Sequence, residues 1–160
     1  MRPVDALLAE YGDSHQNRIN KGIHWICVPL IFFSTVGLFH SIPLGPLSGL
    51  LTGEEGQYLS WATLLLGLTV LWYFKMSVSL GVGMVGVSIA MVMACIWATN
   101  AIPAPLWQTS LVVFVLAWIG QFIGHKVEGK KPSFFKDLQF LLVGPMWLLH
   151  FVYKKVGIAY

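Results

Sequence analysis

Charged residues are scarce in this sequence: only 11% of its 160 residues are Asp, Glu, Lys or Arg, whereas 56% are apolar. A water-soluble domain usually carries about 25% charged residues. The composition therefore excludes a disordered chain and argues against a soluble globule, and the length allows one domain, residues 1–160. The few charges lie at the edges of apolar runs, which is typical of a protein embedded in a lipid bilayer.

Cysteine is scarce as well, since the chain has only Cys27 and Cys95. Both lie inside apolar runs without the spacing of a metal site or a disulfide framework, and we interpret them as small core residues. No block of like charges accompanies the net charge of +3, so we expect no nucleic-acid partner. Residues 1–22 are polar and lack the apolar core of a cleavable signal peptide, so we expect a cytoplasmic N-terminal segment.

Five apolar runs occupy the rest of the chain, at about residues 23–39, 59–74, 76–97, 106–123 and 138–152. A helix needs roughly 20 residues to cross the hydrocarbon core, with about 17 as a practical minimum. The first four runs reach this length once their aromatic flanks are counted, so we predict an all-α integral membrane protein with four transmembrane helices. The fifth run is short and contains Gly144-Pro145, so we predict a re-entrant or interfacial helix kinked at this pair.

The Lys and Arg residues give this bundle a direction. The segments 40–58 and 98–105 contain neither residue type. With the N-terminus inside and a fifth segment that does not cross, all 10 Lys and Arg residues lie on the cytoplasmic face. We expect a bacterial inner membrane rather than an endoplasmic reticulum. Small residues in the third run favour packing within the chain, with a homodimer interface as the alternative.

Histidines are numerous for so apolar a chain, and four of the five fall near the predicted cytoplasmic face: His15, His24, His125 and His150. Asn20 lies four residues before His24 and Glu128 three after His125, so each pair shares a helical face. For His15 to join His24, the chain must bend near Gly22 or form a loop before Asn20. His40 serves as a control, because at about 1.5 Å per residue it lies ~24 Å from His24.

Ionisable side chains at a membrane boundary usually serve a function. Either histidine cluster alone is explained by hydrogen bonds to lipid headgroups or by a local ion pair. The convergence of both clusters on one face favours a single metal ion. Imidazoles with one carboxylate suit Fe(II), Zn or Mn, whereas four histidines are too few for the di-iron site of a membrane hydroxylase.

At these positions the sequence resembles the membrane family of 2-hydroxy fatty acid dioxygenases. The matching residues form blocks at the two ends of the chain: Tyr11, His15, Asn20, His24 and Val28-Pro29, then Trp118 to His125, Glu128, Pro132 and Gly144-Pro145. The resemblance implies an Fe(II)-dependent enzyme that uses O2 to shorten long-chain 2-hydroxy fatty acids by one carbon. The substrate supplies all four electrons, so the stoichiometry requires no external reductant.

The resemblance also implies roles for individual residues. The expected metal ligands are His15, His24, His125 and His150, although many family members carry an acidic residue near the position of His150. The expected catalytic residues are Tyr11, Asn20 and Glu128. Glu128 would be a further ligand or the acceptor that orients His125, whereas Asn20 and Tyr11 would hydrogen-bond the substrate carboxylate or a ligand.

Two other functions stay open at this point. A non-catalytic lipid-binding or scaffold protein would have the same histidines at the membrane interface without a metal. A mononuclear zinc hydrolase would use Glu128 as its general base. Stoichiometric metal and dependence on oxygen distinguish these functions from the dioxygenase.

Overall fold

The computed structural model describes residues 2–50, 53–129 and 140–160, and within these ranges the chain is helical without a β-strand. Its helices are α1 (Pro3–Asp13), α2 (Arg18–His40), α3 (Trp61–Met76), α4 (Val78–Ala101), α5 (Leu106–Glu128) and α6 (Val143–Val156). Two short 3-10 helices, Gly45–Gly49 and Gly53–Tyr58, connect α2 to α3. The prediction of an all-α chain is confirmed.

Three described helices are long and apolar enough to cross a membrane, namely α2, α4 and α5 with 23, 24 and 23 residues. The prediction of four such helices is wrong, because α3 has only 16 residues. Polar caps limit its length at both ends. The Ser60 side chain accepts a hydrogen bond from the Thr63 N–H at its start, and Ser77 directly after its last residue caps the start of α4.

The polar N-terminal segment forms a helix that the sequence analysis does not predict. Pro3 and Asp5 in the first turn of α1 favour a helix start, because Pro needs no N–H partner there and an acidic group stabilises the positive end of the helix. Val4, Leu8 and Tyr11 recur at helical spacing and are all buried. This face packs on α6, so the N-terminal segment is part of the core.

The last helix does not have the predicted kink. Because α6 begins at Val143, Gly144-Pro145 lies in its first turn, where a proline interrupts no helical hydrogen bond. The helix has 14 residues and is too short to cross the hydrocarbon core. The first residues of the predicted segment 138–152, together with Lys130, Lys131, Pro132 and Lys136, lie outside the described residues.

The most extensive helix contact joins α2 to α5 through two glycines four residues apart. A β-carbon at Gly124 would lie 2.4 Å from Oδ1 of Asn20, and one at Gly120 would lie 2.6 Å from Sγ of Cys27. Glycines at this spacing let two membrane helices approach closely. The close approach brings the start of α2 against the end of α5, where two of the candidate ligands lie.

We expect Gly124→Ala to destabilise the fold by about 1–3 kcal/mol, because the added methyl overlaps the buried Asn20 amide. Gly86→Ala in α4 is the matched control, since a β-carbon there meets nothing within 4 Å. Thermal unfolding in detergent measures both variants. Equal melting temperatures for the two would show that the α2–α5 contact tolerates a methyl group.

Candidate metal centre

His15, His24 and His125 come together where the segment between α1 and α2 lies against the end of α5. One ring nitrogen of each histidine lies within 4.8 Å of those of the other two. The ring centroids are 4.1 Å apart for His15 and His24, 5.1 Å for His24 and His125, and 5.4 Å for His15 and His125. All three side chains are at most 5% exposed. They form a compact, buried group of three imidazoles.

A loop before Asn20 brings His15 to the other two histidines. Helix α1 ends at Asp13 and α2 begins at Arg18, so His15 lies in the connection. The side chain of Asn17 caps α2 by accepting hydrogen bonds from the N–H groups of Ile19 and Asn20. The connection therefore turns back over the first turn of α2, which is the second of the two routes open from sequence.

The hydrogen bonds of His15 and His24 show which ring nitrogen of each carries the proton. Nδ1 of His15 lies 2.6 Å from the carbonyl oxygen of Tyr11, and Nδ1 of His24 lies 2.9 Å from that of Asn20. A carbonyl only accepts, so each Nδ1 carries the proton and donates it. Nε2 of each ring is then left with a lone pair, which is the form that binds a metal. A donor set of three clustered imidazoles therefore fits a divalent transition metal.

Glu128 binds the histidine-bearing loop. Its carboxylate accepts hydrogen bonds from the backbone N–H groups of Gln16 and Asn17 at 2.8 and 2.9 Å, and from Nδ2 of Asn20 at 2.9 Å. Both carboxylate oxygens are thus engaged by the segment next to His15. This arrangement ties the end of α5 to the loop that carries the first histidine.

Asn20 and Tyr11 also support His15 from two sides. Asn20 is fully buried, and its amide nitrogen donates to the carbonyl of Ser14 as well as to Glu128. The ring of Tyr11 stacks on the imidazole of His15, with centroids 4.4 Å apart and planes at 10°. Both residues therefore contact the groups that hold His15 in place.

His150 is not brought into the group of three. Its Nδ1 donates to the carbonyl oxygen of Trp147. The centroid of its ring lies 4.1 Å from that of Phe151 and 5.8 Å from that of Tyr160. Burial lowers the pKa of His150 below its ordinary value. Trp147, to which the sequence analysis assigns no role, lies near both histidines: its ring centroid is 5.2 Å from that of His15 and 6.2 Å from that of His150.

His40 lies at the other end of α2, where its Nδ1 is 2.9 Å from the hydroxyl of Ser60.

A small cavity of about 30 Å³ adjoins the imidazoles. Its walls include Tyr11, His24, Gln121, His125, Leu141 and Gly144. Gln121 is 7% exposed, and its Oε1 has no hydrogen-bond partner among the described residues. Water needs roughly 10–15 Å³ of such space per molecule, so the cavity has room for about two small polar groups.

Sequence analysis assigns no role to Gln121, although a signal was present. It lies four residues before His125 and therefore on the same face of α5. An amide in the apolar interior is costly unless it is hydrogen-bonded. The unpaired Gln121 oxygen is thus a natural contact for a polar ligand in the cavity.

The chain matches the model of a known protein family. The family model described as 2-hydroxy-palmitic acid dioxygenase Mpo1-like matches residues 1–156. The match spans the three clustered histidines as well as the apolar helices between them. Neither a curated protein nor a solved structure matches the chain.

Proposed function

Because this chain belongs to the Mpo1-like family, whose model is described as 2-hydroxy-palmitic acid dioxygenase, we propose that it is an Fe(II)-dependent dioxygenase of long-chain 2-hydroxy fatty acids. In the proposed reaction, the bond between the first and second carbons breaks. One 2-hydroxy acid and one O2 give the acid one carbon shorter, one CO2 and one water. The observation that carries the proposal is the buried group of three imidazoles.

His15, His24 and His125 are the residues that would hold the metal, because they are buried together and their donor nitrogens lie within 4.8 Å of one another. When bound, Fe(II) supplies a Lewis acid with an accessible redox change, which Zn²⁺ lacks. Three histidines would hold the metal without filling the cavity beside them, which would be left for the substrate. The hydrogen bonds of Glu128 and Asn20 to the loop, and the stacked ring of Tyr11, would keep His15 in place.

The cavity beside the imidazoles would receive the polar end of the substrate. Oε1 of Gln121 is an unpaired acceptor on the described part of the cavity wall, and it suits the hydroxyl on the second carbon. The small volume of about 30 Å³ would leave little room for water beside the reacting carbons. Gln121 would therefore orient the hydroxyl, and the acyl chain must extend out of this cavity.

The contacts of Glu128 disfavour the zinc hydrolase. A general base needs a carboxylate oxygen that faces the attacking water, whereas both oxygens of Glu128 accept N–H groups from the loop. The close clustering of three buried imidazoles disfavours a scaffold whose histidines contact only headgroups. The dioxygenase makes use of both features.

We place the metal centre at the cytoplasmic end of a membrane-embedded bundle. The described end that holds the imidazoles also carries Arg18, Lys21 and Lys126, whereas the 3-10 helix Gly53–Tyr58 at the other end of α2 carries Glu54 and Glu55. Positive charge on one side is typical of the cytoplasmic face. A bacterial inner membrane suits this arrangement.

Oxygen uptake by the iron-loaded protein is expected with 2-hydroxypalmitic acid and not with palmitic acid. The unsubstituted acid has no oxygen on its second carbon for Gln121 to bind, and its conversion to the shorter acid and CO2 releases six electrons, which is two more than one O2 accepts. Zinc-loaded protein is the control and should consume no oxygen. Equal uptake with both acids would indicate a hydroxylase or desaturase, and no uptake with either would favour the non-catalytic lipid-binding protein.

A further inference from the structure

We propose that the acyl chain of the substrate lies in an apolar groove between α2 and α3, which begins at the cavity beside the imidazoles and runs into the membrane interior. The inference rests on the proposed function, since it assigns the tail of the same substrate. It names a binding surface that the metal centre alone does not define.

The groove has a volume of about 200 Å³ and is built from matching faces of two helices. Its α2 wall is Phe32, Thr35, Val36 and Phe39, and its α3 wall is Ala62, Leu65, Leu66 and Thr69. Both sets follow the three- and four-residue spacing of one helical face. Leu65 and Phe39 are 39% and 40% exposed, so the groove opens sideways toward lipid.

One residue connects the groove to the metal cavity. Leu141 lines both spaces, and Leu142 lines the groove beside it. The hydroxyl of Tyr73 donates to the carbonyl oxygen of Leu142 at 2.7 Å, which holds this turn against α3. A chain that leaves the cavity past Leu141 would therefore reach the neighbouring groove.

The direction of the groove, and the distance from the metal centre to its far end, suit a fatty acid. From His24 to Phe39, α2 rises about 22 Å at 1.5 Å per residue, which is similar to the length of an extended palmitoyl chain. The imidazoles lie at the charged N-terminal end of α2, whereas the groove runs along its apolar C-terminal half, from Phe32 to Phe39. A carboxylate held at the metal centre thus directs its tail into the hydrocarbon region.

A second groove, between α2, α4 and α6, is the rival path. It has about 220 Å³, and its walls include Trp25, Val28, Pro29, Met91 and Leu149. It touches the metal cavity at Val28, but on α2 it reaches only from Trp25 to Phe32, beside the cavity rather than beyond it. A tail in this groove would stay beside the metal end of α2 and would not run toward Phe39.

Blocking the two grooves separately tests the assignment. Thr69→Phe and Leu65→Trp fill the α2–α3 groove at increasing distance from the metal, and Leu149→Trp fills the rival groove. We expect kcat/KM for 2-hydroxypalmitic acid, relative to the ten-carbon homologue, to fall at least tenfold in Thr69→Phe and less in Leu65→Trp. Leu149→Trp should keep the wild-type ratio. The reverse pattern, with Leu149→Trp alone shifting the ratio, would overturn the proposal.

Photolabelling gives a second readout that needs neither turnover nor substitution. A 2-hydroxypalmitic acid with a diazirine at its terminal carbon is irradiated with the full chain in nanodiscs, with excess 2-hydroxypalmitic acid as competitor. We expect competed label on Phe39, Ala62 and Leu65. Competed label on Met91 or Leu149 would overturn the groove assignment. Wild-type protein that oxidises no 2-hydroxy acid would instead overturn the proposed function, whatever the position of the label.

Discussion

Replacing His24 by alanine is expected to lower metal affinity by more than about 100-fold and to abolish oxygen consumption. Loss of a residue behind a ligand already costs about 10–100-fold in affinity, and loss of a ligand itself should cost more. His15→Ala and His125→Ala should have the same effect, because the three ring nitrogens lie within 4.8 Å of one another. Metal content per chain after purification, measured by mass spectrometry, checks each variant.

Two other histidines provide matched controls. His40 is hydrogen-bonded to Ser60 and His150 to the carbonyl of Trp147, and neither belongs to the group of three. We expect His40→Ala and His150→Ala to retain the wild-type metal content. A loss in His150→Ala equal to that in His24→Ala would make His150 a ligand. Full metal content in His15→Ala, His24→Ala and His125→Ala alike would contradict the metal centre.

Replacing Glu128 by glutamine is expected to weaken metal binding about 10–100-fold without removing a ligand. The carboxylate accepts three N–H groups, and an amide places an NH2 donor against at least one of them. Of the three donors Asn20 is buried, and a buried donor left without an acceptor costs about 1–3 kcal/mol. The loop that carries His15 should therefore lose its fixed position.

Hydrogen exchange separates this positioning role from ligation. In Glu128→Gln, the amides of Gln16 and Asn17 should exchange faster even in metal-free protein, because their acceptor is altered. Glu54→Gln, in the 3-10 helix at the other end of α2, is the control and should change neither exchange nor metal affinity. Unchanged exchange at Gln16 and Asn17 together with a full loss of metal would show that Glu128 acts as a ligand.

Apolar periodicity and length give the main helices but not all of their ends. The runs predicted at 76–97 and 106–123 become α4 and α5, with extensions of a few residues. The run at 59–74 looks long enough to span until its serine caps are considered, and these restrict α3 to 16 residues. Helix α1 is missed because its buried face consists of only three residues, Val4, Leu8 and Tyr11.

In the candidate site, the residues could be predicted from local sequence, but the contacts between distant segments could not. His24 and His125 are identifiable because each stands at the polar end of an apolar run. The partners of Glu128 are not, because Gln16 and Asn17 are 112 and 111 residues away in sequence. Spacing alone pairs Glu128 with His125, whereas the tertiary contact between α5 and the loop decides its partners. The partners of His150 likewise depend on tertiary structure, because the residue at which α6 begins sets the side of the helix on which His150 lies.

The fate of the carboxyl carbon tests the central claim most directly. Iron-loaded protein is given 2-hydroxypalmitic acid labelled with carbon-13 in its carboxyl group, and gas and lipid products are analysed by mass spectrometry. Cleavage between the first and second carbons predicts labelled CO2 and an unlabelled fifteen-carbon acid, in amounts equal to the oxygen consumed. Oxygen consumption with the label retained in a sixteen-carbon product would contradict the account.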